Sequence, residues 1–252
     1  VGTNKFIIPP GSTIPARGFL SYDSFQLGFA LSAAGESIYL VSPTGNRLVD
    51  AVRFDAQQNG VASGRSPDGA REFHRLAAAT PGLGNAALRI SDVVINEVMY
   101  HPVSENDEEE FIELFNRGTN AVDLSKWRVR GGISFNVPTG TILGAGSHLV
   151  IAADRTNLLA AYPGLSPALT LGDFSGKLGN GGDTIILQTP DDLVSTNLLG
   201  QLVTNKIHIA VDSVTYGTGG RWGVWADGGG SSLERVDPRA DARLAPNWAD
   251  SD

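Results

Sequence analysis

An internal repeat restricts the fold of this chain more than any other feature of its sequence. Residues 31–40 align with residues 178–187 at a constant offset of 147 positions, since 178 − 31 and 187 − 40 are equal. Further on, VDAVRF at 49–54 matches VDSVTY at 211–216 at an offset of 162 positions (212 − 50), so the later copy has an insertion of about 15 residues between the two matches. Because this period is too long for one unit of a solenoid, we expect two related modules that each have a core.

The two copies differ at their beginnings. The second copy has three strand-like segments in residues 93–129, VVINEVMY, EEFIELFN and AVDLSKWRV, for which the first copy has no counterpart. Val1 is not a start methionine and no signal peptide is recognisable, so we expect the chain to be a piece of a longer polypeptide. The predicted division is a partial β module at residues 1–87 and a complete β-sandwich at residues 88–252.

Composition indicates a globular all-β protein and argues against several classes of function. The chain has 41% hydrophobic and 18% charged residues, and many of its 31 Gly and 13 Pro fall between short apolar runs. No segment approaches the roughly 18 apolar residues of a membrane-spanning helix. The net charge of −8, with scattered basic residues, argues against nucleic-acid binding, and the absence of Cys excludes disulfides and Cys-ligated zinc.

Alternation of apolar and polar residues predicts strands in the second module. In residues 93–100 and 111–115, successive side chains fall into two alternating sets, as the two faces of a strand require. A helix has a period of 3.6 residues, so this alternation would not gather one set on a single buried face. The strands are short and separated by turns, which predicts antiparallel β-sandwiches joined near residues 81–87. The residues that we expect to share the core of the second module are Ile95, Ile112, Leu114, Trp127, Leu149, Ile151, Ile185, Leu187 and Val214.

One helix is predicted, at residues 154–164. Asp154 or Thr156 can serve as its N-cap, and Pro163 with Gly164 would stop it. A single short helix does not change the all-β class.

The order of motifs in the second module resembles the lamin tail domain. The motifs are INEVMYHP, EEFIELFN, AVDLSKW, VPTGTILGAGSHLVI, GGDTIILQ, VDSVTYG and SSLERVDP, and they span nearly all of residues 92–252. Residues 1–87 match only the later two-thirds of this order, and SGRSPDG at 63–69 is a degraded echo of SLERVDP. The resemblance implies two immunoglobulin-like antiparallel β-sandwich modules in tandem, the first truncated. It also implies a bacterial protein that is secreted or held in the cell envelope, and a binding or structural role without a catalytic centre.

A truncated first module would carry an open sheet edge and an uncovered apolar face. Both features favour association. We therefore expect the first module to pack on the second module or on a second copy of the chain, or to form a smaller sheet.

Acidic residues are concentrated in a loop before the second strand of the second module. Because Ca²⁺ prefers several carboxylate and carbonyl oxygens, this loop is a candidate calcium site, and no other cofactor is expected. The alternative is an acidic, solvated loop, since no D-x-[DN]-x-[DN]-G motif is present. The candidate ligands are Glu105, Asp107, Glu108 and Glu109.

Glu97 and Glu113 each lie inside an apolar strand. Because a buried carboxylate without partners costs several kcal/mol, each should either face water or be paired. If the two strands are neighbours, the carboxylates could also act together as an acid and base. The four histidines show no metal-ligand spacing, since the closest two, His74 and His101, are 27 positions apart (101 − 74).

Two tryptophans with a neighbouring arginine lie in the Gly-rich segment 217–230. Arg221, Trp222 and Trp225 are the candidate binding residues, because Trp on a loop can anchor a protein or stack on a sugar. The alternative is that the pair packs on the core as a lid. Trp127 and Trp248 are expected to cap the core.

These features favour a non-catalytic module of a larger bacterial exported or cell-surface protein, which mediates adhesion, scaffolding or substrate targeting. The expected partner is a protein or a glycan at the cell surface. The alternative is an accessory part of a metal-dependent hydrolase, of phosphoesterase or nuclease type, that uses the acidic residues. An enzyme would need polar groups from several strands to converge in one pocket.

Overall fold

The computed structural model describes residues 5–196 and 199–251. The chain divides into two compact units. The first comprises Val1–Arg89 with Asp191–Ile209, and the second comprises Ile90–Pro190 with Ala210–Asp252. The predicted insertion of the later copy, between residues 188 and 211, therefore contributes most of its length to the first unit. No helix in the described part of the chain is long and apolar enough to cross a membrane.

The first unit has little regular structure and almost no core. Its elements are α1 (Ser24–Leu27), β1 (Glu36–Val41), β2 (Leu48–Phe54), β3 (Ser63–Arg65) and β4 (Phe73–Arg75). β1 pairs antiparallel with β2, and β3 pairs antiparallel with β4, as two separate two-stranded sheets. Of the residues of this unit that the structure describes, only Gly64, Leu76 and Ile209 are buried.

Apolar side chains are exposed on both faces of the β1–β2 sheet. Ile38 is 40% exposed and its neighbour Tyr39, which points to the opposite face by alternation, is 63% exposed. A two-stranded sheet is marginally stable in water on its own.

The second unit is a two-layer β-sandwich with one core. Its strands are β5 (Val93–Met99), β6 (Phe111–Asn116), β7 (Val122–Asp123), β8 (Arg128–Gly131), β9 (Ile133–Asn136), β10 (Ile142–Leu143), β11 (His148–Ala152), β12 (Thr170–Leu171), β13 (Ser175–Gly176), β14 (Gly182–Thr196), β15 (Leu202–Gly217), β16 (Leu233–Arg235) and β17 (Trp248–Asp250). A six-stranded sheet has the order β12-β11-β6-β5-β16-β17, and a five-stranded sheet has the order β13-β9-β8-β14-β15. β7 and β10 form a small additional pair.

The core lies between the two sheets and contains all the residues expected there. Ile95, Ile112 and Leu114 come from the six-stranded sheet, and Ile185 and Leu187 from the five-stranded sheet, each with no exposed side-chain surface. The predicted core tryptophans are buried as well. An immunoglobulin-like β-sandwich and the all-β prediction are thereby confirmed for this unit.

A bulge in β5 decides which of its side chains face the core. The register with β6 shifts between Ile95 and Glu97, so that Asn96 is an extra residue on β5. Ile95 and Val98 both point into the core, while Asn96 and Glu97 stay outside.

The predicted helix is α2 (Arg155–Ala161), and its N-cap is Asp154, whose carboxylate accepts from the N–H of Asn157 at 2.8 Å. β12 runs parallel to β11 at the edge of the six-stranded sheet, whereas the other neighbours in that sheet are antiparallel, as predicted. The reason is that α2 carries the chain back along the sheet before β12 begins, as a parallel pair requires. Short 3₁₀ turns occupy Asp107–Glu109, Pro167–Leu169 and Ala245–Asn247.

Candidate binding surface on the loop of residues 217–230

The Gly-rich segment 217–230 connects β15 to β16 and is held in place by β17. The carboxylate of Asp250 accepts from the N–H of Val224 at 3.1 Å and from the N–H of Ala226 at 2.7 Å. Ala226 is fully buried, and the carbonyl oxygen of Trp225 accepts from the N–H of Gly229 at 2.9 Å. The loop therefore presents its outer side chains from a fixed backbone.

The three predicted binding residues have different environments. Trp225 is 65% exposed and its neighbour Val224 is 74% exposed, so together they form an apolar projection. Arg221 is exposed, whereas Trp222 is half-buried and packs against the core. The binding role of each of the three residues remains a prediction. We refer to the surface formed by Arg221, Val224 and Trp225 as the Trp225 surface.

His101 borders this surface and lies between two carboxylates. Its Nδ1 is 2.7 Å from Oδ1 of Asp227, and its Nε2 is 3.2 Å from Oε2 of Glu105. The hydrogen bond to Asp227 first, and Glu105 second, raise the pKa of His101 above its usual value. This contact could not be predicted from local sequence patterns, because 126 positions separate His101 from Asp227.

The four predicted calcium ligands have separate partners. Glu105 contacts His101, and Asp107 pairs with Lys177 at 2.9 Å. Glu108 accepts from Asn157 at 3.1 Å, and Glu109 accepts from Ser104 at 2.7 Å. In the part of the chain that the structure describes, no three His, Cys, Asp or Glu side chains are grouped so that they could hold a metal ion.

Glu110 directly follows this acidic turn and is fully buried. Its Oε2 accepts from the N–H of Leu178 at 2.8 Å, while Oε1 has no hydrogen-bond partner among the described residues. Burial raises the pKa of Glu110 to about 7, with Asp107 and Asp183 adding repulsion. Nothing in the local sequence distinguishes Glu110 from the acidic residues that precede it.

Two tyrosines lie deeper in the same unit. The rings of Tyr100 and Tyr216 are 4.5 Å apart, and the hydroxyl of Tyr216 donates to the carbonyl oxygen of Gly179 at 3.1 Å. Burial raises the pKa of Tyr100 to about 12. Both phenols are therefore neutral at physiological pH.

The structure brings Glu97 and Glu113 together, as the sequence allowed. They are opposite one another on β5 and β6, and Glu234 of β16 is opposite Glu97 on the other side. Glu97 accepts from the hydroxyl of Ser232, and Glu113 accepts from Asn96 at 3.0 Å. Burial, and then the neighbouring carboxylates, raise the pKa of Glu97. Among the described residues, each carboxylate of the pair thus has a neutral side-chain partner, a hydroxyl or an amide, and not a Lys, an Arg or a backbone N–H.

The match to one family model agrees with the sandwich. The family model described as Lamin Tail Domain matches residues 87–218. No curated protein matches the chain. Among solved structures, a DUF4876 family protein from Bacteroides thetaiotaomicron is similar with 13% identity and a TM-score of 0.39, over 82% of this chain and 84% of that chain.

Proposed function

The chain belongs to the lamin tail domain family, and from this membership we propose that it is a non-catalytic binding module of a larger bacterial protein that is exported or held at the cell surface. In that role it mediates adhesion, scaffolding or substrate targeting. The partner is a protein or a glycan of the cell surface.

Exposure of Trp225 on a fixed loop is the observation that carries this proposal. Large apolar side chains that project together from a rigid backbone bind partners at little entropic cost, because they have few conformations to lose. Trp is also the residue type most enriched among those that dominate binding energy. Val224 adds a second exposed apolar group beside it.

Charges around the Trp225 surface complement the apolar contact. Arg221 is exposed, and Asp227 and Glu105 border the surface on the side of His101. Such groups can exchange hydrogen bonds with sugar hydroxyls or with a polar protein rim. The net charge of −8 disfavours a strongly acidic partner.

We also propose that residues 1–87 are a partial copy of the module at 88–252. Gly35 and Gly182, which align in the repeat, have φ values of 101° and 119°. A Cβ on Gly35 would lie 2.6 Å from the carbonyl oxygen of Phe54, and one on Gly182 would lie 2.6 Å from that of Tyr216, which is the aligned residue. In both segments, then, a glycine with positive φ lies so close to an aligned backbone carbonyl that no other residue would fit. This shared requirement supports a common ancestry of the two segments.

The binding proposal is tested with isolated bacterial cell-envelope preparations that are intact, protease-treated or glycosidase-treated. Cosedimentation of the full chain is compared with that of Trp225→Ala, and with Tyr162→Ala as a control, since Tyr162 is another exposed aromatic residue of the second unit. We expect Trp225→Ala to weaken binding at least tenfold and Tyr162→Ala to leave it unchanged. The treatment that abolishes binding identifies the partner as protein or glycan.

Equal binding by Trp225→Ala and the original chain would contradict the proposal. The hydrolase alternative would gain support from turnover of a phosphoester that is lost in Glu97→Gln while the fold is retained. No specific observation favours that alternative, because the acidic side chains are occupied by separate partners.

A further inference from the structure

Asn–Gly dipeptides occur at two places in the chain, Asn59–Gly60 in the first unit and Asn180–Gly181 in the second. An asparagine before glycine can react with its own backbone, because glycine has no Cβ to hinder the approach of its nitrogen to the asparagine side chain. Whether a folded chain permits this reaction depends on how firmly the side chain and the next peptide are held. The two dipeptides differ in this respect.

Asn59 and Gly60 are the central residues of an exposed β-turn, residues 58–61, which we call the Asn59 turn. The N–H of Val61 donates to the carbonyl oxygen of Gln58, and Gly60 has a φ of 74°. A positive φ at Gly60 and not at Asn59 is the pattern of a type II turn, which favours glycine at its third position. Both central residues are exposed.

The reacting groups of the Asn59 turn are unhindered. In the described part of the chain, neither the side-chain amide of Asn59 nor the N–H of Gly60 has a hydrogen-bond partner. A Cβ placed on Gly60 would have no atom within 4 Å. The hydrogen bond that closes the turn measures 3.2 Å, at the long end of the usual range. The peptide can therefore rotate until the nitrogen of Gly60 reaches Cγ of Asn59.

The second dipeptide lies in a packed turn. The N–H of Gly182 donates to the carbonyl oxygen of Gly179 at 2.9 Å, and the same oxygen accepts from the hydroxyl of Tyr216 at 3.1 Å. Oδ1 of Asn180 is buried, and a Cβ on Gly182 would lie 2.6 Å from the carbonyl oxygen of Tyr216. Rotation of the Asn180 side chain or of the next peptide would disturb this packing.

The place of the Asn59 turn is exposed in the second unit as well, where the two-layer sandwich is present. Arg65 and Arg235 each donate to the carbonyl oxygen of an alanine five positions further on, so we align them at an offset of 170 positions (235 − 65). Asn59 and Gly60 then align with Gly229 and Gly230, which are both exposed. This comparison uses the partial-copy proposal, whereas the geometry of the Asn59 turn does not depend on it.

We propose that Asn59 is a site of spontaneous deamidation. The backbone nitrogen of Gly60 attacks Cγ of Asn59, and the new C–N bond closes a succinimide ring. The side-chain nitrogen leaves as ammonia and takes the proton that the nitrogen of Gly60 carried. Water then opens the ring at either carbonyl and leaves aspartate or isoaspartate. Water is the only co-reactant, because no atom changes its oxidation state.

Either product changes the first unit. One negative charge is added, which takes the net charge from −8 to −9 (−8 − 1). Isoaspartate also routes the main chain through the side chain at position 59, shortly before β3 begins. Asn59 and Gly60 line a cavity of about 620 Å³ together with the apolar residues Ile38, Val52 and Phe54. Deamidation therefore introduces a carboxylate into the lining of this cavity.

The test follows both dipeptides in the folded full chain. The protein is incubated at mildly alkaline pH in water labelled with heavy oxygen, and it is then digested with trypsin in ordinary water. Residues 54–65 and 178–206 are tryptic peptides with one Asn–Gly each, and tandem mass spectrometry locates the modified residue. Because water opens the succinimide, heavy oxygen in the product separates deamidation during the incubation from deamidation during digestion.

Asn59 should convert at least tenfold faster than Asn180 in the folded chain. The product should be a mixture of aspartate and isoaspartate, and a methyltransferase specific for isoaspartate detects the second of these. In urea, where neither turn persists, the two residues should convert at similar rates, because each is followed by glycine. The difference in the folded chain therefore reports the structure of the turns and not the local sequence.

Asn59→Gln is the test variant, and Asn180→Gln is its matched control. Glutamine keeps the amide, but its longer side chain would have to close a six-membered ring, which forms much more slowly. Asn59→Gln should therefore remove the fast release of ammonia, and Asn180→Gln should leave it unchanged. The Trp225 surface takes no part in this reaction, so the outcome is independent of the binding function proposed above.

Equal rates for Asn59 and Asn180 in the folded chain would overturn the proposal. An unmodified Asn59 after an incubation in which the urea-unfolded chain reacts would do so too. A product that contains aspartate without isoaspartate would show direct hydrolysis of the side chain instead of attack by Gly60. Fast ammonia release that persists in Asn59→Gln would place the reaction at another residue.

Discussion

Each unit has an Asp–Arg ion pair, Asp212 with Arg235 at 2.8 Å in the second unit and Asp50 with Arg65 at 2.9 Å in the first. The two pairs allow one substitution to be compared in a buried and in an exposed setting. Arg235→Met leaves Asp212 buried and unpaired, and it removes the donors for the carbonyl oxygens of Ile95 and Ala240. Breaking a buried pair by removing one partner costs about 3–5 kcal/mol. Arg65→Met exposes an Asp50 that is already largely in water, so its effect should stay near about 1 kcal/mol.

Tryptophan fluorescence during urea unfolding measures the first of these effects selectively. All four tryptophans, at positions 127, 222, 225 and 248, belong to the second unit. With a denaturant slope of about 2 kcal/mol per molar urea, a loss of about 4 kcal/mol lowers the midpoint by about 2 M. Arg65→Met should move the tryptophan midpoint by less than about 0.5 M.

A second variant separates the buried charge from the lost packing. Adding Asp212→Asn to Arg235→Met removes the unpaired charge and keeps an acceptor for the N–H of Ile95. The double variant should therefore recover part of the lost stability. A loss below about 1 kcal/mol in Arg235→Met, or no recovery in the double variant, would refute this reasoning.

Three further predictions concern the second unit. In urea unfolding, Ile185→Ala should lower the free energy of unfolding by about 2–5 kcal/mol, because Ile185 is completely buried. Ile142→Ala, at a site that is 54% exposed, should lower it by less than about 1 kcal/mol. Equal losses in the two variants would contradict the described core. Burial raises the pKa of Glu110 from an ordinary 4.5 to about 7 in the native state, so the native state binds this proton more tightly than the unfolded state does. The free energy of unfolding is therefore highest below pH 4.5 and falls by up to about 3 kcal/mol as the pH rises through 7. Glu110→Gln should flatten this decline in unfolding measured at pH 5 and pH 8, and an unchanged decline would argue against the burial. Millimolar calcium should leave the melting temperature unchanged, because the four predicted ligands have separate partners, and a rise with calcium concentration would restore the calcium site.

Local periodicity was sufficient to predict which side chains form the core. Ile112 and Leu114 of β6 are buried and alternate with half-buried residues, as a period of two requires. The helix after β11 was also predictable, because Asp154 is a favourable N-cap and Pro163 lies just beyond the last turn. Both features depend on residues that are close in sequence.

Features that depend on distant contacts could not be predicted. Glu110 is buried where it accepts from the N–H of Leu178, which lies 68 positions away, whereas the residues on either side of it are only half-buried. His101 meets Asp227 through two loops whose approach no local pattern encodes. The parallel pairing of β12 likewise follows from the path of the chain after α2 and not from the composition of the strand.

The binding role of the Trp225 surface is tested most directly by NMR of the four tryptophan indole N–H groups. Each signal is assigned by single substitution, and the chain is titrated with the solubilised cell-envelope fraction that it cosediments with. If Trp225 contacts the partner, its signal shifts first and furthest, while those of Trp127 and Trp248, which are buried in the core, stay in place. A bound chain with an unshifted Trp225 signal would contradict a binding role of the Trp225 surface.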